Sequence, residues 1–139
     1  MNKEYQILVV DDDPIFAKST QAVLQSHGYR VSIASDGQEG ISLMGKNKPD
    51  LVILDVMMSW PLEGVNVSNQ MMQQRELWDI PIVMVTSIRS TDYRGLFPQD
   101  QYLHINAWLD KPCSPESLLS TVESALSRHE HFKEVTSNA

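Results

Sequence analysis

The chain has 139 residues, 42% of them hydrophobic, and a formal net charge of −7. This length suits one domain with a core of its own, and the acidic balance argues against direct binding to a nucleic-acid backbone. The single cysteine, Cys113, excludes an internal disulfide. No signal-peptide pattern and no apolar stretch long enough to cross a bilayer is present. We therefore expect a cytoplasmic domain with neither nucleic acid nor membrane as a direct partner.

Short apolar runs alternate with helix-like segments along the chain, which favours an α/β fold with a parallel sheet. Asp13-Pro14 is typical of a helix start, with an N-cap followed by proline. Asp36 predicts the next cap, with Glu39 three residues later as in a capping box. A third helix is predicted from Gly64 to Arg75, and Ser114-Pro115 repeats the first start signal for the last helix.

Two segments depart from this alternation. Arg89 to Asn106 should hold the fourth helix, but it contains Gly95 and Pro98 and has no apolar stripe of helical period. We therefore expect an irregular fourth helix region. From residue 129 onward the chain is polar, which predicts a domain over residues 5–128 followed by a polar tail over 129–139, frayed at Thr136–Ala139.

The apolar runs end on residues that can take part in phosphoryl chemistry. Ile7–Val10 leads into Asp11-Asp12-Asp13, Leu51–Leu54 into Asp55, Ile82–Val85 into Thr86-Ser87, and Ala107–Leu109 through Asp110 into Lys111-Pro112. Continuous apolar runs of this length are typical of strands buried on both faces of a parallel sheet. The carboxyl ends of such strands line one edge, where ligands bind, so we expect these side chains to form one site.

Three carboxylates at one sheet edge, those of Asp11, Asp12 and Asp55, would repel one another unless a cation lay among them. Mg²⁺ suits such a site because it prefers oxygen ligands and keeps several waters. With Lys111 the formal charge becomes −3 + 2 + 1 = 0, which leaves a neutral site for an incoming phosphoryl group. A carboxylate can act as the nucleophile and form an aspartyl phosphate, and Thr86 can donate a hydrogen bond to a phosphoryl oxygen.

Each of these residues also has an ordinary structural interpretation. Asp13 predicts a helix cap, Asp55 alone could end a strand in a turn, and Thr86 alone could be structural. Lys111-Pro112 is a common way to leave a strand. Their joint occurrence, in this order and at the ends of strands, favours the functional interpretation.

These stretches resemble the receiver domain of bacterial two-component response regulators. The matching segments are Ile7–Pro14, Leu51–Met58, Val83–Ser87 and Trp108–Pro112, and the resemblance covers about residues 5 to 128. It implies a flavodoxin-like, doubly wound, five-stranded parallel sheet with strand order 2-1-3-4-5.

The resemblance also implies roles for the site residues. Asp55 would accept a phosphoryl group from a phosphohistidine on a sensor histidine kinase or a phosphotransfer protein. Asp12 and Asp55 would bind Mg²⁺, helped by the backbone carbonyl of Met57, with Asp11 acting mostly through water. Lys111 would pair with the phosphoryl group and with Asp55.

Two further residues would act as a switch in this family. Thr86 would move to hold a phosphoryl oxygen, and Trp108 stands where the family carries an aromatic side chain that swings inward. The signal would pass to a downstream protein target, and a homodimer is compatible with the sequence. The domain would not be an enzyme beyond Mg²⁺-dependent self-phosphorylation and autodephosphorylation.

The sequence departs from the family pattern after the acceptor. Ser59 stands where the family usually has proline, and Pro61 and Gly64 are placed as if one residue had been inserted in this loop. Cys113 stands where an aromatic residue often follows the Lys-Pro pair. The distance from Thr86 to Lys111, 111 − 86 = 25 residues, is a few more than the family pattern predicts.

Two other functions remain open from the sequence. Asp11-x-Asp13 after a strand is similar to the nucleophile motif of haloacid-dehalogenase-type phosphatases, in which Asp11 would be phosphorylated. That interpretation leaves Asp55 unexplained, and no further acidic pair follows Lys111. The second alternative is a pseudo-receiver that keeps the fold and signals without phosphate.

Overall fold

Five strands alternate with helices in the computed structural model, which describes residues 4–56, 63–86 and 105–137. The strands are β1 (Gln6–Val10), β2 (Arg30–Ala34), β3 (Leu51–Asp55), β4 (Ile82–Thr86) and β5 (Ile105–Asp110). The helices are α1 (Pro14–Gln25), α2 (Gly37–Lys46), α3 (Glu63–Met72) and the C-terminal helix α4 (Pro115–Ser137). None of these described helices is both long and apolar enough to cross a membrane.

All four strand pairings are parallel, and the strand order is β2-β1-β3-β4-β5. The predicted order is therefore confirmed. Val10 at the end of β1 lies beside Ala34 on one neighbour and Leu54 on the other, so the carboxyl ends of adjacent strands reach the same edge. This register places Asp11 and Asp55 side by side.

Helices cover both faces of the sheet, and successive residues of each strand point to opposite faces. Leu8, Val52, Leu54 and Met84 belong to the apolar cluster that α2 and α3 cover. Val9, Ile53, Val83 and Val85 belong to the cluster that α1 and α4 cover. The strands of the sheet interior thus have no polar face, which explains why they read as continuous apolar runs in the sequence.

The predicted helix starts are confirmed by their hydrogen bonds. The Asp13 side chain accepts from the backbone N–H of Ile15 and Phe16, and Asp36 accepts from the N–H of Glu39. Ser114 Oγ accepts from the N–H of Ser117 at the start of α4. At the other end of α1, Gly28 has φ of 90°, a conformation that glycine adopts without steric cost.

Three boundaries differ from the sequence-based expectation. Helix α3 runs over Glu63–Met72 and stops before Arg75. The predicted irregular segment Arg89–Asn106 lies outside the described residues, except for its last two residues, which begin β5. Helix α4 continues to Ser137, so most of the segment predicted as a polar tail is helical. No glycine or proline occurs after Pro115, and polar residues alone do not end a helix.

Candidate functional site

The strand ends bring the predicted residues to one edge of the sheet. Asp11 follows β1, and its backbone N–H donates to the carbonyl of Ala34 at 3.0 Å. Asp55 is the last residue of β3. Lys111 follows β5, and its backbone N–H donates to the carbonyl of Thr86 at 2.8 Å. Parallel pairing therefore extends to the site residues and fixes their backbones relative to one another.

Three carboxylates form an acidic cluster at this edge, which comprises Asp11, Asp12 and Asp55. One carboxylate oxygen from each lies within 4.8 Å of the other two. The Asp11 and Asp55 residues are only 2% and 4% exposed, whereas Asp12 is exposed. The cluster is thus closed on the protein side and open to solvent at Asp12, where a ligand can enter.

Lys111 supplies the positive charge that faces this cluster. Its Nζ lies 2.8 Å from Asp11 Oδ2 and 3.4 Å from Asp55 Oδ2. Burial on its own would lower the pKa of Lys111, but the hydrogen bonds and negative charges of Asp11 and Asp55 together outweigh it and raise the pKa. The side chain therefore stays protonated at physiological pH.

The donor set of the acidic cluster fits a hard divalent cation. Asp11 Oδ1 accepts from the backbone N–H of Asp13 at 2.9 Å. The other oxygen of Asp11, the buried Oδ2, pairs with the Lys111 ammonium at 2.8 Å. Three carboxylates and one ammonium sum to −3 + 1 = −2, which a divalent cation neutralises. Oxygen ligands and this charge favour Mg²⁺.

The two predicted switch residues lie on neighbouring strands. Thr86 ends β4 and is 5% exposed, beside Asp110 in the register with β5. Trp108 pairs in register with Met84 and packs, partly buried, against the cluster that α2 and α3 cover. Thr86 therefore lies at the site edge, and Trp108 lies on the neighbouring strand β5, which leads to Lys111. Met57, which the sequence predicts as a metal ligand together with Asp11, Asp12 and Asp55, lies outside the described residues.

The start of α3 packs directly behind Asp55, which the sequence did not reveal. The N–H of Gly64 donates to the carbonyl of Val56 at 3.0 Å, and a Cβ on Gly64 would collide with the backbone carbonyl of Asp55. Glu63, which is 5% exposed, accepts from the N–H of Gly37 at 2.8 Å through Oε2. The second contact lies between residues of different helices, so no local pattern signals it.

An apolar groove of about 580 Å³ adjoins the site on its α1 side. Helix α1 and the segment from Lys111 to Leu118 form its walls. Phe16 lies in this wall, and the Lys111 Nζ is 4.4 Å from the centre of its ring. No local pattern links Phe16 to Lys111, because their positions in the chain differ by 95 residues (111 − 16 = 95).

Comparison with known proteins identifies one family over most of the chain. The model of the family described as "Response regulator receiver domain" matches residues 7–123. Response regulator MprA of Mycobacterium sp. (strain KMS) is 38% identical over 126 residues, which cover 88% of this chain and 51% of MprA. Protein PilH of Pseudomonas aeruginosa is 31% identical over 87% of this chain and 97% of PilH. The chain thus spans about half the length of MprA and nearly all of PilH.

Solved structures show the same architecture. A CheY-like receiver domain protein from Methanospirillum hungatei matches with a TM-score of 0.81 and 26% identity, covering 94% of this chain and 99% of its own. Chemotaxis protein CheY4 of Vibrio cholerae matches with a TM-score of 0.78 and 29% identity, covering 88% and 99%. The similarity therefore covers most of this chain and nearly the whole of each of these two structures.

Proposed function

Because this chain belongs to the family of response regulator receiver domains, we propose that Asp55 accepts a phosphoryl group from a phosphohistidine of a sensor histidine kinase or a phosphotransfer protein. The observation that carries this proposal is the position of the Asp55 carboxylate. It lies at the carboxyl end of a central strand, within reach of Lys111 and of two further carboxylates. This arrangement combines a nucleophile with the charges that a phosphoryl group requires.

The transfer itself needs few protein groups. An Asp55 carboxylate oxygen attacks phosphorus, the new O–P bond forms as the N–P bond of the phosphohistidine breaks, and the donor imidazole leaves. The Lys111 ammonium, 3.4 Å from Asp55 Oδ2, would pair with a phosphoryl oxygen. Such positioning and charge stabilisation are what phosphoryl transfer demands of a protein.

We propose that Asp12 and Asp55 hold Mg²⁺ directly, together with the backbone carbonyl of Met57, while Asp11 acts mostly through water. When bound, the ion supplies positive charge to the phosphoryl oxygens. Asp11 Oδ1 already accepts the N–H of Asp13, and Oδ2 faces Lys111, which supports an indirect role for Asp11. The exposure of Asp12 supports a direct one.

The output is proposed to pass through Thr86 and Trp108 to a downstream protein. Thr86 would hold a phosphoryl oxygen, and Trp108 would move with it, because their strands are neighbours. The chain's own chemistry would be limited to Mg²⁺-dependent self-phosphorylation and autodephosphorylation. No nucleic acid is needed as a direct partner of this acidic domain.

Intact-mass spectrometry after incubation with acetyl phosphate and Mg²⁺ tests the proposal. We expect one added phosphoryl group on the wild type and none on Asp55→Asn or in the presence of a chelator. Asp11→Asn is the matched control, because it should retain a phosphorylated fraction. An adduct that survives Asp55→Asn and disappears with Asp11→Asn would establish the phosphatase-like alternative. A wild type without any adduct would support the pseudo-receiver.

A further inference from the structure

The Lys111 ammonium has a third neighbour besides the two carboxylates. Its Nζ lies 4.4 Å from the centre of the Phe16 ring, well within the roughly 6 Å over which a cation is attracted to an aromatic face. The Lys111 side chain is only 14% exposed, so little water competes with this contact. The Lys111 ammonium therefore contacts two carboxylates, those of Asp11 and Asp55, and in addition a neutral aromatic ring.

The position of the Phe16 ring is fixed by the same loop that carries the acidic residues. The Asp13 carboxylate accepts the N–H of Phe16 at 3.4 Å and so anchors the first turn of α1 to the end of β1. The half-buried ring also packs against the core cluster on the α1 side of the sheet. Backbone and core together thus place this ring at a defined distance from the acidic cluster.

We propose that Phe16 is a positioning residue that holds the Lys111 ammonium in place for the phosphoryl group through a cation–π contact. This inference rests on the proposed function of Asp55. The ring is suited to this task because it attracts a cation without bringing a formal negative charge. A third carboxylate beside Lys111 would attract it more strongly but would repel the incoming phosphoryl oxygens.

The geometry indicates what the ring contributes. Nζ lies 0.6 Å closer to Asp11 than to Asp55 (3.4 − 2.8 = 0.6), so the carboxylates alone do not centre the ammonium on the acceptor. The flexible lysine stem adds rotamers that a bound ammonium must give up. Attraction to the Phe16 ring reduces the range of positions available to Nζ. A charge held in place in this way stabilises a transferring phosphoryl group, because it does not have to reorganise during the reaction.

The simpler interpretation is that Phe16 only fills the groove between α1 and the segment after β5. The two interpretations differ in what a leucine would do. Leu keeps the apolar contact with the core but has no aromatic face, whereas Trp keeps and strengthens the face. Val23 lines the same groove two turns further along α1, so Val23→Ala serves as the control for lost apolar volume.

The first measurement is the rate of phosphorylation by acetyl phosphate at saturating Mg²⁺, followed by intact mass. We expect Phe16→Leu to slow it about fivefold, Phe16→Trp to stay within about twofold of wild type, and Val23→Ala to leave it unchanged. In a Lys111→Met background, Phe16→Leu should have no further effect, because the ring acts through the ammonium. Equal slowing by Phe16→Leu in both backgrounds would overturn the proposal.

The second measurement does not depend on phosphorylation. In proton NMR spectra, the ε-methylene protons of Lys111 should be shifted upfield by the ring current in the wild type and should return downfield in Phe16→Leu. An unshifted Lys111 in the wild type would overturn the cation–π contact. If the wild type were never phosphorylated but Lys111 showed the ring-current shift, the proposed function would fail while the contact itself stood.

Discussion

At the level of single residues, the position of one ammonium group decides how the acidic cluster is balanced. Lys111 contacts two nearly inaccessible carboxylates, and removing it would take away the positive charge that pairs with both Asp11 and Asp55. Buried charges of the same sign raise one another's energy unless a cation or a proton intervenes. The balance of charge at the site therefore depends on Lys111, and a divalent cation would complete the neutralisation.

The pKa of the Cys113 thiol responds to the charge of Lys111, which lies two residues before it in the chain. Burial raises the pKa of the thiol above 9.0, and its backbone hydrogen bond and the Lys111 ammonium offset this only in part. The rate of alkylation by iodoacetamide should therefore reach half its plateau above pH 9.0 in the folded protein. Lys111→Met should move this midpoint higher, because the ammonium favours the thiolate. A midpoint well below that of the urea-unfolded chain would contradict the prediction.

The raised pKa of Tyr29 predicts that the unfolding free energy falls at alkaline pH. Burial raises its pKa above 10.0, and Glu123 and Tyr5 raise it further. The folded chain keeps the phenol proton where the unfolded chain has lost it, so the unfolding free energy falls as pH rises from 10.0 towards the folded pKa. Below pH 10.0 the contribution of Tyr29 to the unfolding free energy is fully present. In urea unfolding, Tyr29→Phe should lose less stability than wild type between about pH 9.5 and 11. Parallel losses in the two proteins would contradict this assignment.

At the level of elements, helix α3 contacts both strand β3 and helix α2. Gly64 lies so close to the carbonyl of Asp55 that no side chain fits there. Glu63, its neighbour, caps the first turn of α2 by accepting the N–H of Gly37. The carboxylate satisfies one of the helix-terminal N–H groups and also interacts favourably with the positive end of the helix dipole. The start of α3 thus packs against the backbone of Asp55 and also holds the neighbouring helix α2.

Replacing Glu63 should therefore destabilise the α2–α3 side of the domain. We expect Glu63→Ala to lower the unfolding free energy by about 2 kcal/mol, because a buried N–H loses its acceptor. Glu63→Gln should cost less, because the amide oxygen can still accept from Gly37. Urea denaturation of the two variants checks the difference, and Glu39→Ala, which alters the exposed acceptor of the Ser35 N–H, is the control. Equal losses for Glu63→Ala and Glu63→Gln would show that the hydrogen bond is not the cause.

At the level of the whole molecule, the acidic cluster connects parts of the fold that are far apart in sequence. Asp11 and Asp12 follow β1, Asp55 ends β3, and Lys111 follows β5, while helices cover both faces of the sheet. A cation bound at this edge would join these strand ends in the folded state alone. Its binding should therefore stabilise the whole domain and not only the loops that contact it.

Mg²⁺ is accordingly expected to raise the unfolding free energy of the wild type, by about 2.7 kcal/mol at a concentration 100 times its Kd. Asp12→Asn should largely remove this increase. Without Mg²⁺ the same variant should be slightly more stable than wild type, because one of three like charges is gone. Thermal melts with MgCl₂, and with KCl at matched ionic strength, measure both effects. Stabilisation of Asp12→Asn by Mg²⁺ equal to that of the wild type would contradict a direct role for Asp12.

Much of the fold followed from local patterns in the sequence. Strands at Ile7, Ile53 and Val83 were predictable because residues buried on both sides of a sheet give continuous apolar runs. The caps at Asp13 and Asp36 were predictable because they act within one turn of the chain. The strand order came from the family resemblance, since spacing alone does not choose among the possible orders.

The end of the last helix was less predictable for a physical reason. The polar composition after residue 129 indicated a tail, but α4 extends to Ser137. Polarity reports whether a face is buried, whereas helix formation depends on the backbone and on the absence of glycine and proline. In short helices that cover the core, helical structure and a buried apolar face end together. In α4 the helix continues over polar residues beyond its apolar face.

The sequence by itself determined which residues end the strands, and therefore that Asp11, Asp12, Asp55, Thr86 and Lys111 share one edge of a parallel sheet. Only the tertiary structure decided what surrounds them: the Phe16 ring beneath Lys111, Gly64 against the Asp55 carbonyl, and Glu63 at the start of α2. The strand ends converge because parallel pairing brings the carboxyl ends of the apolar runs to the same edge of the sheet. Contacts between elements depend on how helices pack onto the sheet, which no periodicity along the chain encodes.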